Sequence, residues 1–145
     1  MSPDSERAAE VREWLAKVAL DLRGARIDLA AKPPLVEYAL FHCQQAIEKA
    51  FKAFLAWNDR PFRKTHSLEE LGRTCVGIDG TLVSLVDEAV PLTEYAWAFR
   101  YPGAPPVPEV AEAQAALALA ERVVGAVAGR LPKEALPPGF APVSS

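Results

Sequence analysis

Between Tyr38 and Trp57 the apolar residues Leu40, Cys43, Ile47, Phe51 and Phe54 recur at steps of three and four, the spacing of a single stripe along a helix. A second line, Phe41, Gln44, Gln45, Glu48 and Lys52, runs along the border between that stripe and water. Glu48 precedes Lys52 by four residues, the favourable order for an ion pair on a helix. Two readings fit this polar line: a solvated flank carrying an amide and an ion pair, or the floor of a groove.

The same periodicity organises the rest of the chain. Val11, Leu15, Val18, Leu22 and Leu29 predict a long first helix from Ser5 to Ala31, with Asp4 or Ser5 as its cap and Gly24 marking close packing against a neighbour. Lys32, Pro33 and Pro34 stop it, and the helix of the central stripe follows at once. Asn58 to Thr65 is a polar connection containing Arg60, Arg63 and Lys64. Ser67 and Glu70 form a capping-box pattern that predicts a short third helix to about Val76, apolar at Leu68, Leu71 and Cys75. After a turn over Gly77 to Gly80, Thr81 to Phe99 reads as helix with Leu82, Leu85, Val86, Ala89 and Leu92 inward, broken or kinked at Pro91. Pro102 stops this segment. From Pro108 or Glu109 to Arg130 an alanine-rich helix with Val110, Leu117, Val124 and Val127 inward closes the structure.

No segment alternates as a strand does. The expected fold is therefore all-α, an up-and-down bundle of four to five helices over residues 1–131, followed by a mobile proline-rich tail over 132–145. With 145 residues, half of them hydrophobic, one domain with a real core is expected.

Charge and cysteines narrow the function classes. A formal net charge of -3 gives no global attraction to nucleic acid, so any nucleotide or RNA site is local. Cys43 and Cys75 show neither metal-ligand spacing nor a disulfide framework and read as small buried apolar residues. MSPDSERAAE lacks the apolar core of a signal peptide and no apolar run is long enough to span a bilayer, so a soluble cytoplasmic protein without membrane contact is expected. There is no glycine-rich phosphate cradle, no metal-spaced cluster and no serine or cysteine beside a base, so neither metal nor cofactor is expected.

FHCQQAIEKAFKAFL, then THSLEEL after a polar loop, then EYAWAFRYP before the alanine-rich helix, together resemble the HEPN domain family over roughly Val11 to Arg130. The resemblance implies a helical bundle, commonly a homodimer. It further implies a module encoded beside a minimal nucleotidyltransferase and serving as its nucleotide- or substrate-binding, non-catalytic partner in a toxin-antitoxin-like pair. On that reading Gln45, Glu48 and Lys52 fall on the family's second-helix motif, His66 on its His-Ser/Asp-Leu motif, and Arg100, Tyr101 and Pro102 on its Arg-Tyr-Pro motif. Such a set suits a nucleotide: cations for phosphate, a ring for stacking and an amide for a base edge. A groove joining Lys52, His66 and Arg100 is expected, with Lys52 and Arg100 at the edge of the core. In scaffold roles His66 would instead cap the third helix or bond across the loop, and Arg100 would satisfy helix-end carbonyls and pair with Glu48.

Other branches of the family are ribonuclease toxins, marked by an arginine followed after four to six residues by a histidine. Here Arg60 and His66 alone have that spacing, and they lie earlier in the chain than the family's ribonuclease pair. A ribonuclease cleaving RNA through Arg60 and His66 is the alternative function, and a purely structural interaction module is the third.

Overall fold

The computed structural model describes residues 2–140. Helix α1 (Pro3–Ala30) begins at Ser2, whose hydroxyl accepts a hydrogen bond from the Ser5 N–H at 3.1 Å. The cap is thus Ser2 and not Asp4 or Ser5. Proline at the first helical position lacks only an amide hydrogen that would have had no helical partner, so the helix starts earlier than its apolar pattern does.

After the two prolines, the Leu35 N–H donates to the Asp28 carbonyl at 2.9 Å and turns the chain into α2 (Val36–Trp57), antiparallel to α1. Two polar pairs set the register of these helices. Lys49 Nζ donates to Asp21 Oδ2 at 2.7 Å, and His42 Nδ1 lies 2.7 Å from Asp28 Oδ2. The partners are seven residues apart on each helix, so both pairs recur on one face after two turns. Gly24 packs as its position suggests: a Cβ there would lie 3.0 Å from His42 Cε1.

Helix α3 (Leu68–Ile78) starts on the Ser67 hydroxyl, which accepts from the Glu70 N–H at 3.1 Å. Only half of the expected capping box forms. The Glu70 carboxylate takes a two-pronged bond from Arg63 instead, and the Ser67 N–H donates to Thr65 Oγ1 at 3.0 Å. The helix runs through Gly77, past its expected end, because the polar stop is Asp79, whose side chain caps the 3-10 turn Gly80–Leu82. Then α4 (Val83–Ala89) gives way at Pro91 to a 3-10 helix, Val90–Ala96, so the segment is two helical pieces and not one bent helix. Helix α5 (Val110–Ala128) completes five α-helices, with no strand among the described residues.

Packing confirms α2 as the centre: α1, α3, α5 and the Val90–Ala96 segment all rest on it. Leu40, Cys43, Ile47, Phe51 and Phe54 are each at most 3 % exposed. Helix α5 faces inward mainly through Ala113, Ala116, Ala120, Val123, Val124 and Val127, whereas Val110 and Leu117 are only partly buried. Its small side chains allow close approach to α2, which carries Ala39, Ala46, Ala50 and Ala53. Gly72 lets α3 press on the core, since a Cβ there would meet Val86 Cγ1 at 2.5 Å and Phe51 Cε2 at 3.4 Å. Burial pushes both thiols up to about 12, and Cys75 Sγ donates to the Phe51 carbonyl, so both cysteines are inert core residues.

The stretch expected to be a mobile tail is packed over 132–140. Lys133–Ala135 forms a 3-10 turn against α1, Ala135 is fully buried, and Leu136 and Phe140 rest on the core. Arg12 donates to the Glu134 carbonyl. Prolines that forbid helix here shape a docked strap, and residues 141–145 of the expected tail lie outside those described. Among the described residues no helix is long and apolar enough to cross a membrane.

Phe51 is the largest fully buried side chain. Truncating it to Ala should cost about 3–5 kcal/mol in chemical denaturation, and a loss under about 1 kcal/mol would contradict the placement of the core.

Candidate functional site

The polar line of α2 is not a solvated flank. Gln44, Gln45, Glu48 and Lys52 are 0 %, 9 %, 2 % and 8 % exposed. Burying a carboxylate is affordable only when its oxygens are bonded, and here donors converge on Glu48. Oε1 accepts from His66 Nδ1 at 2.8 Å, from Gln44 Nε2 at 3.2 Å and from Gln45 Nε2 at 3.3 Å, while Oε2 accepts from Lys52 Nζ at 2.9 Å. Gln44 also donates to the His66 carbonyl at 3.1 Å and accepts from Gln45 at 2.7 Å.

Lys52 is enclosed as well. Its ammonium lies 5.6 Å from the centre of the Trp14 ring and 5.9 Å from that of Phe62, two rings that meet edge to face. The cation therefore joins α1, α2 and the 58–67 connection, and a substitution at Lys52 perturbs the fold before it reports on binding. The expectation that Lys52 sits at the edge of the core is corrected accordingly. His66 is different: its side chain is 53 % exposed, so one edge is held by Glu48 and the other is open to water. It does not cap α3, a role taken by Ser67.

Arg100 is elsewhere. Its Nη2 donates to the Ala96 carbonyl at 3.2 Å, satisfying the end of the 3-10 helix, and it makes no bond to Glu48. It lines a cavity of about 270 Å³ with Glu37, Tyr38, Phe41 and His42 of α2 and with Tyr95, Ala96, Trp97 and Phe99. Tyr95 and Phe99 stack at 5.9 Å and 17°, and Phe41 meets His42 edge to face at 5.7 Å. At 1.5 Å per residue, ten residues of α2 separate His42 from Lys52 by about 15 Å. The structure thus brings Gln45, Glu48, Lys52 and His66 together but separates them from Arg100. Tyr101, 73 % exposed, begins the open loop beyond it.

Arg60 is exposed on the 58–67 connection, and its backbone N–H closes the end of α2 on the Leu55 carbonyl at 2.9 Å. No hydrogen bond joins it to His66, whose Nδ1 is taken by Glu48. Sequence reasoning missed the aromatic cavity and its residues Tyr38, His42, Tyr95, Trp97 and Phe99. The signal available in the sequence was the run of rings around Arg100, namely Tyr95, Trp97, Phe99 and Tyr101, which no helical stripe absorbs. Among the described residues no group of three His, Cys, Asp or Glu is placed to hold a metal ion.

The HEPN domain family matches residues 11–131 of the chain. No curated protein and no solved structure matches it.

Burial raises the pKa of Glu48, but the hydrogen bonds from Lys52 and His66, the Lys52 charge and the Gln44 bond outweigh it, so the carboxyl lies below its ordinary 4.5. A group whose folded pKa is depressed stabilises fully above its unfolded value and loses that contribution as pH falls through the folded one. Stability should therefore decline as pH drops below about 4.5, with Asp79, lowered to about 2 by Thr81 and Arg130, acting in the same sense. Urea denaturation of Glu48→Gln should show lower stability at neutral pH and a shallower acid decline than wild type. An unchanged acid slope would remove Glu48 from the account.

Proposed function

The chain belongs to the HEPN domain family, and we propose that within it this protein is a ligand-binding module without turnover of its own. It takes a nucleotide in the aromatic cavity and acts as a homodimeric, non-catalytic partner of a minimal nucleotidyltransferase, in the manner of a toxin-antitoxin pair. The observation that carries the reading is the cavity itself, where Tyr38, Phe41, Tyr95, Trp97 and Phe99 surround a space bordered by Arg100.

The chemistry supports a nucleotide over other small ligands. Rings stack a base without regard to its edges, a guanidinium at the rim takes phosphate in two-pronged fashion, and the Glu37 carboxylate suits ribose hydroxyls. A volume of about 270 Å³ lies just under the ~300–1,000 Å³ usual for drug-sized ligands, so the base enters and the phosphate stays at the mouth. On this reading Arg100 takes the phosphate and Tyr101 makes an outer stacking contact, while the buried Gln45, Glu48 and Lys52, with the half-exposed His66, support the neighbouring wall. The support is connected to the cavity: the Leu68 N–H, two residues after His66, donates to Thr93 Oγ1 at 3.2 Å in the 3-10 helix that carries Tyr95. Self-association is supported by Leu20 and Ile27, 58 % and 57 % exposed and seven residues apart on one face of α1.

Two measurements test this reading. Arg100→Ala should weaken nucleotide binding by roughly 10- to 100-fold, the value of a charge-assisted contact, in a titration followed by Trp97 fluorescence, with helicity unchanged. Undiminished binding would displace Arg100 from the site, and RNA cleavage lost on Arg60→Ala or His66→Ala would replace the binding module with a ribonuclease. Sedimentation should show a dimer that dissociates in Leu20→Lys/Ile27→Lys, and a monomer in wild type at about 10–100 µM would contradict the homodimer.

A further inference from the structure

His42 stands in the stretch FHCQQAIEKAFKAFL but not among the residues expected to bind, and its ring is held from several sides. Asp28, on the last turn of α1, places its Oδ2 2.7 Å from His42 Nδ1. The side chains are 12 % and 28 % exposed. From the α1 side, Gly24 leaves no slack, since even a Cβ there would lie 3.0 Å from Cε1 and 3.1 Å from Nδ1. Phe41 packs edge to face beside the ring. Orientation and tilt are both fixed before any ligand arrives.

The tautomer is fixed as well. An ionised carboxylate only accepts hydrogen bonds, so the proton of the neutral imidazole sits on Nδ1 and Nε2 carries a lone pair. Among the described residues no protein group bonds Nε2, and it is not a buried orphan either, so this acceptor is free on a ring that lines the cavity. The cavity wall therefore offers one aimed acceptor amid stacking rings, with a guanidinium at the rim.

We propose that His42 selects the base: Nε2 accepts a hydrogen bond from an exocyclic amino group, so that the ligand is an amino-bearing nucleoside phosphate such as an adenine nucleotide. Asp28 is a positioning residue that acts through the His42 tautomer, and Arg100 takes the phosphate. The inference rests on the nucleotide reading of the same cavity and adds a base preference to it. A base presenting a carbonyl at that position meets a lone pair with a lone pair and covers the acceptor without satisfying it, which is costly.

The test is calorimetric titration of the full chain with AMP and with IMP at about pH 8, two ligands that differ in an amino group against a carbonyl. AMP should bind at least ~10-fold more tightly, the effect of one unmade bond. In Asp28→Asn the amide can turn either face to Nδ1 and admits both tautomers, so the preference should collapse while AMP still binds. His42→Phe keeps a packed ring without an acceptor and should abolish the preference too. A merely structural Asp28 would lower the melting temperature without changing the AMP-to-IMP ratio. Equal binding of the two nucleotides by wild type, or a preference that survives both substitutions, overturns the inference and leaves the nucleotide reading intact. Binding of neither overturns both.

Discussion

One buried carboxylate governs how the molecule is assembled. Glu48 lies in the middle of the most buried helix, and an ionised group there is tolerable only with donors on both oxygens. Those donors come from α2 itself, Gln44, Gln45 and Lys52, and from His66 at the far end of a polar connection. Satisfying the charge therefore requires that connection to fold back on α2. Once His66 is in place, Ser67 starts α3 and Leu68 bonds to Thr93, which holds the 3-10 helix against α2. The aromatic cavity is walled by the same helix two to three turns away. An arrangement that began as electrostatic compensation ends by positioning rings.

Helix α2 thus divides its polar edge between two tasks. Its second half, from Gln44 to Lys52, is closed and internally bonded, with a cation enclosed by Trp14 and Phe62. Its first turns, from Glu37 to His42, face open space beside Arg100. Buried groups bonded to one another are withheld from a ligand, whereas His42 Nε2 and the rim guanidinium keep free valence. The electrostatics agree with the net charge of -3: attraction for an anion is local to the cavity mouth and absent over the whole.

Most of the fold was legible because periodicity and capping chemistry act locally. The stripe from Leu40 to Phe54, the Ser67 cap, the Gly24 approach and the break at Pro91 were all read from neighbouring residues, and each is present. What failed to show depended on distant partners. Gln44, Glu48 and Lys52 resemble any amphipathic edge until Trp14, Phe62 and His66, from 10 to 38 residues away along the chain, cover them. The docking of 132–140 was obscured in the same way, since proline excludes helix without excluding packing. The cavity was least legible, because Tyr38, His42 and Tyr95 to Arg100 meet only when the 3-10 helix lies across α2. The motif residues Lys52 and Arg100 were joined into one expected groove, whereas Lys52 is enclosed by Trp14 and Phe62 and Arg100 lines the aromatic cavity.

The central claim is that the ligand enters the aromatic cavity while the Glu48 cluster supports it from a distance. Mapping backbone amide shifts by NMR during titration with AMP tests this most directly. The account predicts perturbations concentrated on Glu37 to His42 and Tyr95 to Arg100, with the amides of Glu48, Lys52 and His66 little changed. Shifts centred on Lys52 and His66, with the cavity silent, would contradict it.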